Sequence, residues 1–180
     1  NGKRRMIGSL AHGSMANAMP QAIGAQSAYP GRQVISLSGD GGFTMLMGDF
    51  LTLVQQNLPV KVIIFNNSTL GFVAMEMKAS GFLETGTTLT NPNFADLARS
   101  VGVHAIRVED PLELEAAIKD VLSHDGPALL DVVTNTQELS MPPKIKAEQV
   151  KGFSLWALRT VMNGRGDELV DLTLSNFLER

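Results

Sequence analysis

Apolar residues change period several times along this chain, and each change marks an element. Val34-Ile-Ser-Leu-Ser38 is a short β-branched run that stops at Gly39-Asp40-Gly41-Gly42. Phe43, Leu46, Met47, Phe50, Leu51 and Val54 then recur at helical spacing, so a strand, a tight turn and one helix are predicted. Beyond Asn57-Leu-Pro59, the run Val60-Lys-Val-Ile-Ile-Phe65 is too continuous for a half-exposed strand. It predicts a strand buried on both faces of a parallel sheet, ending at Asn66-Asn67-Ser68. Phe94, Leu97, Ala98 and Val101 form a helical stripe ahead of Gly102, and residues 103–108 follow as strand. Pro111 opens a helix through Leu114, Ala117, Ile118 and Val121, and Ala128-Leu-Leu-Asp-Val-Val133 is the last strand. Upstream, residues 14–28 are helical with Pro20 inside, which predicts a kink or a late start. Strands alternating with helices over short links require crossover connections, so the fold class is α/β: a mostly parallel sheet with helices on both faces.

The pattern breaks at Leu139-Ser-Met-Pro-Pro-Lys. Two further helical stretches, residues 151–162 and 167–178, separated by Asn163-Gly-Arg-Gly166, form a helical C-terminal extension rather than a second domain. The expected organisation is therefore a domain over residues 1–138 and an extension over 139–180. In the last helix Leu169, Val170, Leu174, Phe177 and Leu178 fall on one side and Asp171, Ser175 and Asn176 away from it. Lys144, Lys146, Lys151, Arg159 and Arg165 come before it. An apolar helix beside a basic stretch can lie in a membrane interface; docking on its own protein is the other reading.

Composition narrows the classes. At 180 residues and 44% hydrophobic, the chain can build a core without staples. The absence of cysteine removes disulfide scaffolds, zinc-thiolate sites, iron-sulfur clusters and a Cys nucleophile. A net charge of −3 argues against a nucleic-acid partner. No run reaches the length of a spanning helix, and Asn1-Gly-Lys-Arg-Arg is no signal peptide and has no initiator Met. These features predict a cytoplasmic piece of a longer polypeptide.

In such a sheet, ligands sit at the carboxyl ends of the strands. Two of those ends are polar here, Gly39-Asp40-Gly41-Gly42 and Asn66-Asn67-Ser68-Thr69-Leu70-Gly71. The interval 42–65 holds one helix and one strand, which returns the chain to the same edge, so Asp40 and Asn67 can face one another across a crevice. A carboxylate and an amide oxygen are hard ligands suited to Mg²⁺, and glycines beside Asp40 admit a diphosphate. The bland alternative has Asp40 capping the following helix and Asn66-Asn67 turning the chain. Two such motifs at strand ends favour metal-diphosphate binding.

Gly39-Asp40-Gly41, the interval 42–65 and Asn66-Asn67 resemble the thiamine-diphosphate signature of the decarboxylase, oxidase and acetolactate-synthase superfamily. His12-Gly-Ser-Met-Ala-Asn-Ala-Met-Pro-Gln-Ala-Ile-Gly-Ala25 is similar to the segment those enzymes lay against the aminopyrimidine. Met45-Leu-Met-Gly-Asp-Phe50, Leu70-Gly-Phe-Val-Ala-Met-Glu-Met-Lys78 and Lys151-Gly-Phe-Ser-Leu155 resemble the bacterial pyruvate oxidases, the pyruvate:quinone oxidoreductases or quinone-type pyruvate dehydrogenases. The resemblance implies Mg²⁺ on Asp40, Asn67 and the Thr69 carbonyl. It implies diphosphate against Gly41, Gly42, Ser68, Leu70 and Gly71, and pyrimidine against Gly13, Ser14 and Met15, with Met15 propping the cofactor into a bent form. It also implies cofactor contacts for Phe72 and Val73, which open the helix beyond. Phe72 and Glu76, four apart on one face, would serve catalysis, Phe72 near the path to a flavin and Glu76 near the substrate. His12 would contact the thiazolium side or substrate; core packing for Met15, a solvated charge for Glu76 and a structural His12 are the competing readings.

The resemblance further implies oxidative decarboxylation of pyruvate to acetate and CO₂, with electrons passing through FAD to a membrane quinone. FAD and the activating glutamate would belong to domains outside this chain, the latter on the pyrimidine domain of a neighbouring subunit in a homotetramer. The fragment alone is then expected to be inactive. The tail would be a phospholipid-binding anchor holding the enzyme peripherally on the inner face of the membrane. Acetolactate synthase or another thiamine-diphosphate-dependent 2-oxo acid decarboxylase is the alternative within the superfamily. A Rossmann-type module lacks its G-x-G-x-x-G and a Walker lysine here, and a non-catalytic lipid-binding module is a third possibility.

Overall fold

The computed structural model describes residues 4–138 and 146–178. The change of pattern at Leu139 and the basic Lys144 lie outside the described residues, as do the side chains of Phe177 and Leu178. The chain divides into two units: residues 1–67 with 90–134, and residues 68–89 with 135–180.

The first unit carries four parallel strands, β1 (Ile35–Gly39), β2 (Lys61–Asn66), β3 (His104–Val108) and β4 (Ala128–Val133), in the order β1-β2-β4-β3. One face packs under α1 (Ala18–Ala28), α2 (Asp40–Met45), α3 (Phe50–Gln55) and α5 (Phe94–Ser100). Met19, Phe43, Phe50, Leu53, Val62, Ile64, Phe94 and Leu129 are all buried there. Phe43 stands edge-on to both Phe50 and Phe94, at 5.9 and 5.5 Å between ring centroids. On the other face α6 (Leu114–Ser123) covers β3 and β4 through Ala117 and Val121. The α/β class with helices on both faces and a helical extension is thus the observed one.

Two local expectations differ. The single helix expected from Phe43 to Val54 is two short ones, because the backbone leaves the helical region at Leu46 (φ −129°, ψ 36°) and a 3₁₀ turn, Met47–Asp49, intervenes. Strand β2 is not buried on both faces: Ile63 is half-buried against the α6 cluster and Phe65, on the same side, is 48% exposed. At Pro20 the late start is the observed outcome: α1 begins only at Ala18, and Pro20 is its third residue, where no intrahelical N–H bond is lost. A 3₁₀ turn, Met15–Asn17, comes before it.

The second unit is helical, with α4 (Gly71–Ala79), α7 (Ala147–Met162) and α8 (Gly166–Thr173), the last running into a wider turn, Leu174–Leu178. α4 packs on α7 and α7 on α8. A Cβ on Gly152 would lie 1.9 Å from the Ala79 carbonyl oxygen, so the α4–α7 contact needs glycine there. The apolar side expected for the last helix is corrected: Leu172 and Asn176 are buried while Val170 is 55% exposed. Asn176 turns inward because its Nδ2 donates to the carbonyls of Gln137 and Leu172, both at 2.8 Å.

Candidate functional site

Gly39 pairs with Phe65 across β1 and β2, so Asp40 stands level with Asn66 and Asn67 one residue beyond, all at the carboxyl edge. Gly39, extended, occupies the cap position of α2 and Asp40 is its first helical residue, so Asp40 is not the helix cap. The Asp40 carboxylate is 2% exposed. Its Oδ1 accepts from the Gly41 N–H at 2.9 Å and its Oδ2 from Asn91 Nδ2 at 2.7 Å. Asn91 Nδ2 also donates to Asn66 Oδ1 at 3.0 Å. Asn66 Nδ2 in turn donates to Asp131 Oδ1 at 3.0 Å.

Asp131 is fully buried in β4. Its Oδ2 accepts from Arg107 at 2.7 Å and from the Phe94 N–H at 3.3 Å. Arg107 reaches Glu109 as well, and its guanidinium is held above the usual arginine range by the Glu109 hydrogen bond first and the Asp131 bond and charge next. A connected set of polar groups therefore runs from Asp40 at the strand edge into the sheet. Asn91, Asn66, Asp131 and Arg107 carry it.

The segment that precedes α1 comes to the same edge within this unit. A Cβ on Gly42 would fall 2.5 Å from the Met15 carbonyl oxygen, so Gly42 lets the backbone at Met15 lie directly on α2. Met15 is 46% exposed, Ser14 and His12 are exposed, and Gly13 is left-handed at φ 61°.

Within the second unit, Ser68 holds a left-handed φ of 56°, rare for a residue with a Cβ. The loop is strapped to residues 87–89: Leu70 N–H donates to Thr87 O at 2.8 Å, and Leu89 N–H to Ser68 O at 2.9 Å. Thr69 Oγ1 donates to Thr87 O at 3.2 Å. α4 starts at Gly71 with no side-chain cap on its first N–H groups. Phe72 is 71% exposed, and Val73 and Glu76 are exposed too, while Ala74 and Lys78 are buried. Phe72 and Glu76 thus share the outward face of α4, as their spacing predicts.

The family model for the thiamine pyrophosphate enzyme C-terminal TPP binding domain matches residues 1–132, a span that holds Met15, Asp40, Asn67, Asn91 and Asp131. The chain belongs to this thiamine pyrophosphate enzyme family. It is 36% identical over 162 residues to the putative thiamine pyrophosphate-containing protein YdaP of Bacillus subtilis (strain 168), covering 90% of this chain and 28% of that protein. It is 35% identical over 142 residues to the acetolactate synthase large subunit of Porphyra purpurea, covering 77% of this chain and 24% of the other. It is 37% identical over 143 residues to the probable acetolactate synthase large subunit of Methanococcus aeolicus, covering 78% and 24%. The chain spans about a quarter of the length of these relatives.

The residues present fit the Mg²⁺ that accompanies thiamine diphosphate. A carboxylate as buried as Asp40 is favoured by positive charge, and with an amide oxygen it offers the hard oxygen donors that Mg²⁺ takes. Mg²⁺ uses one or two carboxylates and completes its shell with phosphate and water. Among the described residues there is no group of three or more His, Asp or Glu side chains able to hold a metal. Among them, too, no helix is long and apolar enough to cross a membrane.

Sequence reasoning missed Asn91, Asp131 and Arg107. Asp131 was readable in principle, as a carboxylate inside the apolar run Ala128-Leu-Leu-Asp-Val-Val133. His104 and His124, which the sequence leaves without partners, have them: His104 Nε2 lies 2.6 Å from Asp120 Oδ2 and its ring stacks on His124 at 4.6 Å.

Proposed function

We propose that this chain is the diphosphate- and Mg²⁺-holding domain of a thiamine-diphosphate-dependent enzyme that acts on a 2-oxo acid, pyruvate, with chemistry of the acetolactate synthase kind. The observation that carries the reading is Asp40 level with Asn66-Asn67 at the edge of two adjacent parallel strands, in a chain of this family. The acetolactate synthase names of several relatives favour carboligation. Asp40, Asn67 and the Thr69 carbonyl hold Mg²⁺. Gly41, Gly42, Ser68, Leu70 and Gly71 line the diphosphate, and the uncapped N–H groups opening α4 suit its charge. Gly13, Ser14 and Met15 meet the pyrimidine; Phe72 and Val73 meet the cofactor farther along. Glu76, on the face of α4 that carries Phe72, meets the substrate. When bound, thiamine diphosphate supplies the electron sink that lets CO₂ leave a 2-oxo acid. The pyrimidine domain of a neighbouring subunit in a homo-oligomer completes the site.

One observation favours a second reading, the pyruvate:quinone oxidoreductase with FAD on a domain outside this chain and a lipid-binding tail. A match covering 90% of the chain must run through α7, where Lys151-Gly-Phe-Ser-Leu155 resembles the oxidases. The two readings differ in products. The full-length protein, given pyruvate, thiamine diphosphate, Mg²⁺, FAD and a soluble quinone, should convert two pyruvates to acetolactate and CO₂ with no quinone reduced. Acetate formed in step with reduced quinone would overturn the first reading in favour of the second, and neither product would overturn both.

A further inference from the structure

The Asp40 carboxylate is anchored by a side chain from a distant part of the sequence. Asn91 lies in the loop ahead of α5, and its single amide nitrogen bridges Asp40 Oδ2 at 2.7 Å and Asn66 Oδ1 at 3.0 Å. Asn91 can do this only if Asn66 presents its oxygen to it. Asn66 is held that way round because its own Nδ2 is taken by Asp131 Oδ1 at 3.0 Å. Asp131, in turn, is fixed by the Arg107 guanidinium and by the Phe94 N–H at the start of α5. The amide orientations thus follow from one another, and the series starts at an ion pair whose carboxylate is fully buried and ends on a carboxylate oxygen. A second tie, from the Gly41 N–H to Oδ1, leaves that carboxylate bonded at both oxygens.

We propose that Asn91 is a positioning residue for the metal-binding carboxylate: with Asn66 and Asp131 behind it, it fixes the rotation of the Asp40 side chain and so favours Mg²⁺ over larger cations. The inference rests on the proposed Mg²⁺-diphosphate site and adds to it a source of metal selectivity. The physical reason is the difference between the two ions. Mg²⁺ demands near-ideal octahedral geometry and is penalised by a carboxylate free to swing; Ca²⁺ accepts flexible, often bidentate carboxylates. Outer partners of this sort are worth about 10–100-fold in metal affinity.

The test uses the full-length protein with saturating thiamine diphosphate and measures Mg²⁺ and Ca²⁺ affinities by calorimetry. Asn91→Ala should weaken Mg²⁺ binding roughly tenfold or more, while Ca²⁺ binding falls by less than about threefold, so the ratio of the two affinities narrows. Asn91→Ser, which keeps a donor too short to bridge both partners, should narrow it in the same direction and serves if the alanine variant does not fold. Equal losses for the two cations would mean that Asn91 only supports the fold, and an unchanged Mg²⁺ affinity would mean that it does nothing for the site; either overturns the inference. Asp40→Ala separates this from the underlying reading. If it abolishes Mg²⁺ binding while both Asn91 variants bind like the wild type, only the positioning role fails; if Asp40→Ala binds Mg²⁺ normally, the site itself is wrong and the positioning role falls with it.

Discussion

In the sheet unit the most deeply buried charge is Asp131, met by a guanidinium from the neighbouring strand, a backbone N–H and an asparagine that passes the connection on toward Asp40. In the helical unit it is Lys78, whose ammonium lies 3.3 Å from Glu84, 3.2 Å from Gln137 and 5.3 Å from the centre of the Trp156 ring. Both charges are compensated, which burial demands. The Asp131 set continues to the edge of the sheet and ends on a group able to bind a ligand. The Lys78 set closes on itself: cation–π contact with Trp156 ties α4 to α7 and the ion pair holds the Glu84 loop, leaving the opposite face of α4, with Phe72 and Glu76, exposed. The contrast teaches that a buried polar cluster can hold a ligand group in register or hold a helix in place, and that the direction its hydrogen bonds run tells the two apart.

The contrast breaks most severely at Arg107. Arg107→Leu leaves Asp131 buried without its cation, and the loss of one partner of such a pair costs about 3–5 kcal/mol. Urea unfolding should show that loss in the sheet unit, with the helical unit unaffected in its own transition. A shift under 1 kcal/mol would mean that Asp131 is carried by Asn66 and the Phe94 N–H without the charge.

Gly152→Ala tests the helical side. The added methyl group meets the Ala79 backbone rather than a movable side chain, so α4 and α7 must separate. Overpacking of this kind costs about 1–3 kcal/mol. Tryptophan fluorescence should report it through Trp156, which is 1% exposed and next to Phe153 at 4.9 Å. Unchanged emission and stability would place the helix contact elsewhere.

The smallest expected effect concerns the other end of the sheet. Lys61 is buried at the start of β2, its Nζ donating to the carbonyls of His124 and Gly126, and burial lowers its pKa below the ordinary 10.5 against a raising contribution from Asp125. The unfolded chain therefore binds this proton more readily than the folded one. Between the lowered pKa and 10.5 the stability from this site rises with pH, and Lys61→Met should remove that rise. Denaturation midpoints across the alkaline range would show it, and equal slopes for both proteins would contradict it.

The order of strands and helices was legible because each carries a distinct apolar period, and Asp40 and Asn67 because strand ends in such a sheet are few and these two are polar. The break at Leu46 was not legible, since Phe43, Phe50 and Leu53 keep helical spacing across it. The buried side of α8 was misread for a related reason. Period alone pointed to the side of Leu169, Val170 and Leu174, whereas the buried side includes Asn176, which turns inward on hydrogen bonds rather than apolarity. Asn91 sits in a loop without period, and only the fold brings it to Asp40.

The central claim is that Asp40 holds Mg²⁺ for the diphosphate of thiamine diphosphate. Calorimetric titration of the full-length protein with thiamine diphosphate, with and without Mg²⁺, tests it most directly when Asp40→Ala is run beside the wild type. The account predicts Mg²⁺-dependent binding in the wild type, abolished in Asp40→Ala and weakened more mildly in Asn67→Ala, with circular dichroism unchanged. Equal, Mg²⁺-dependent affinity in all three proteins would contradict it.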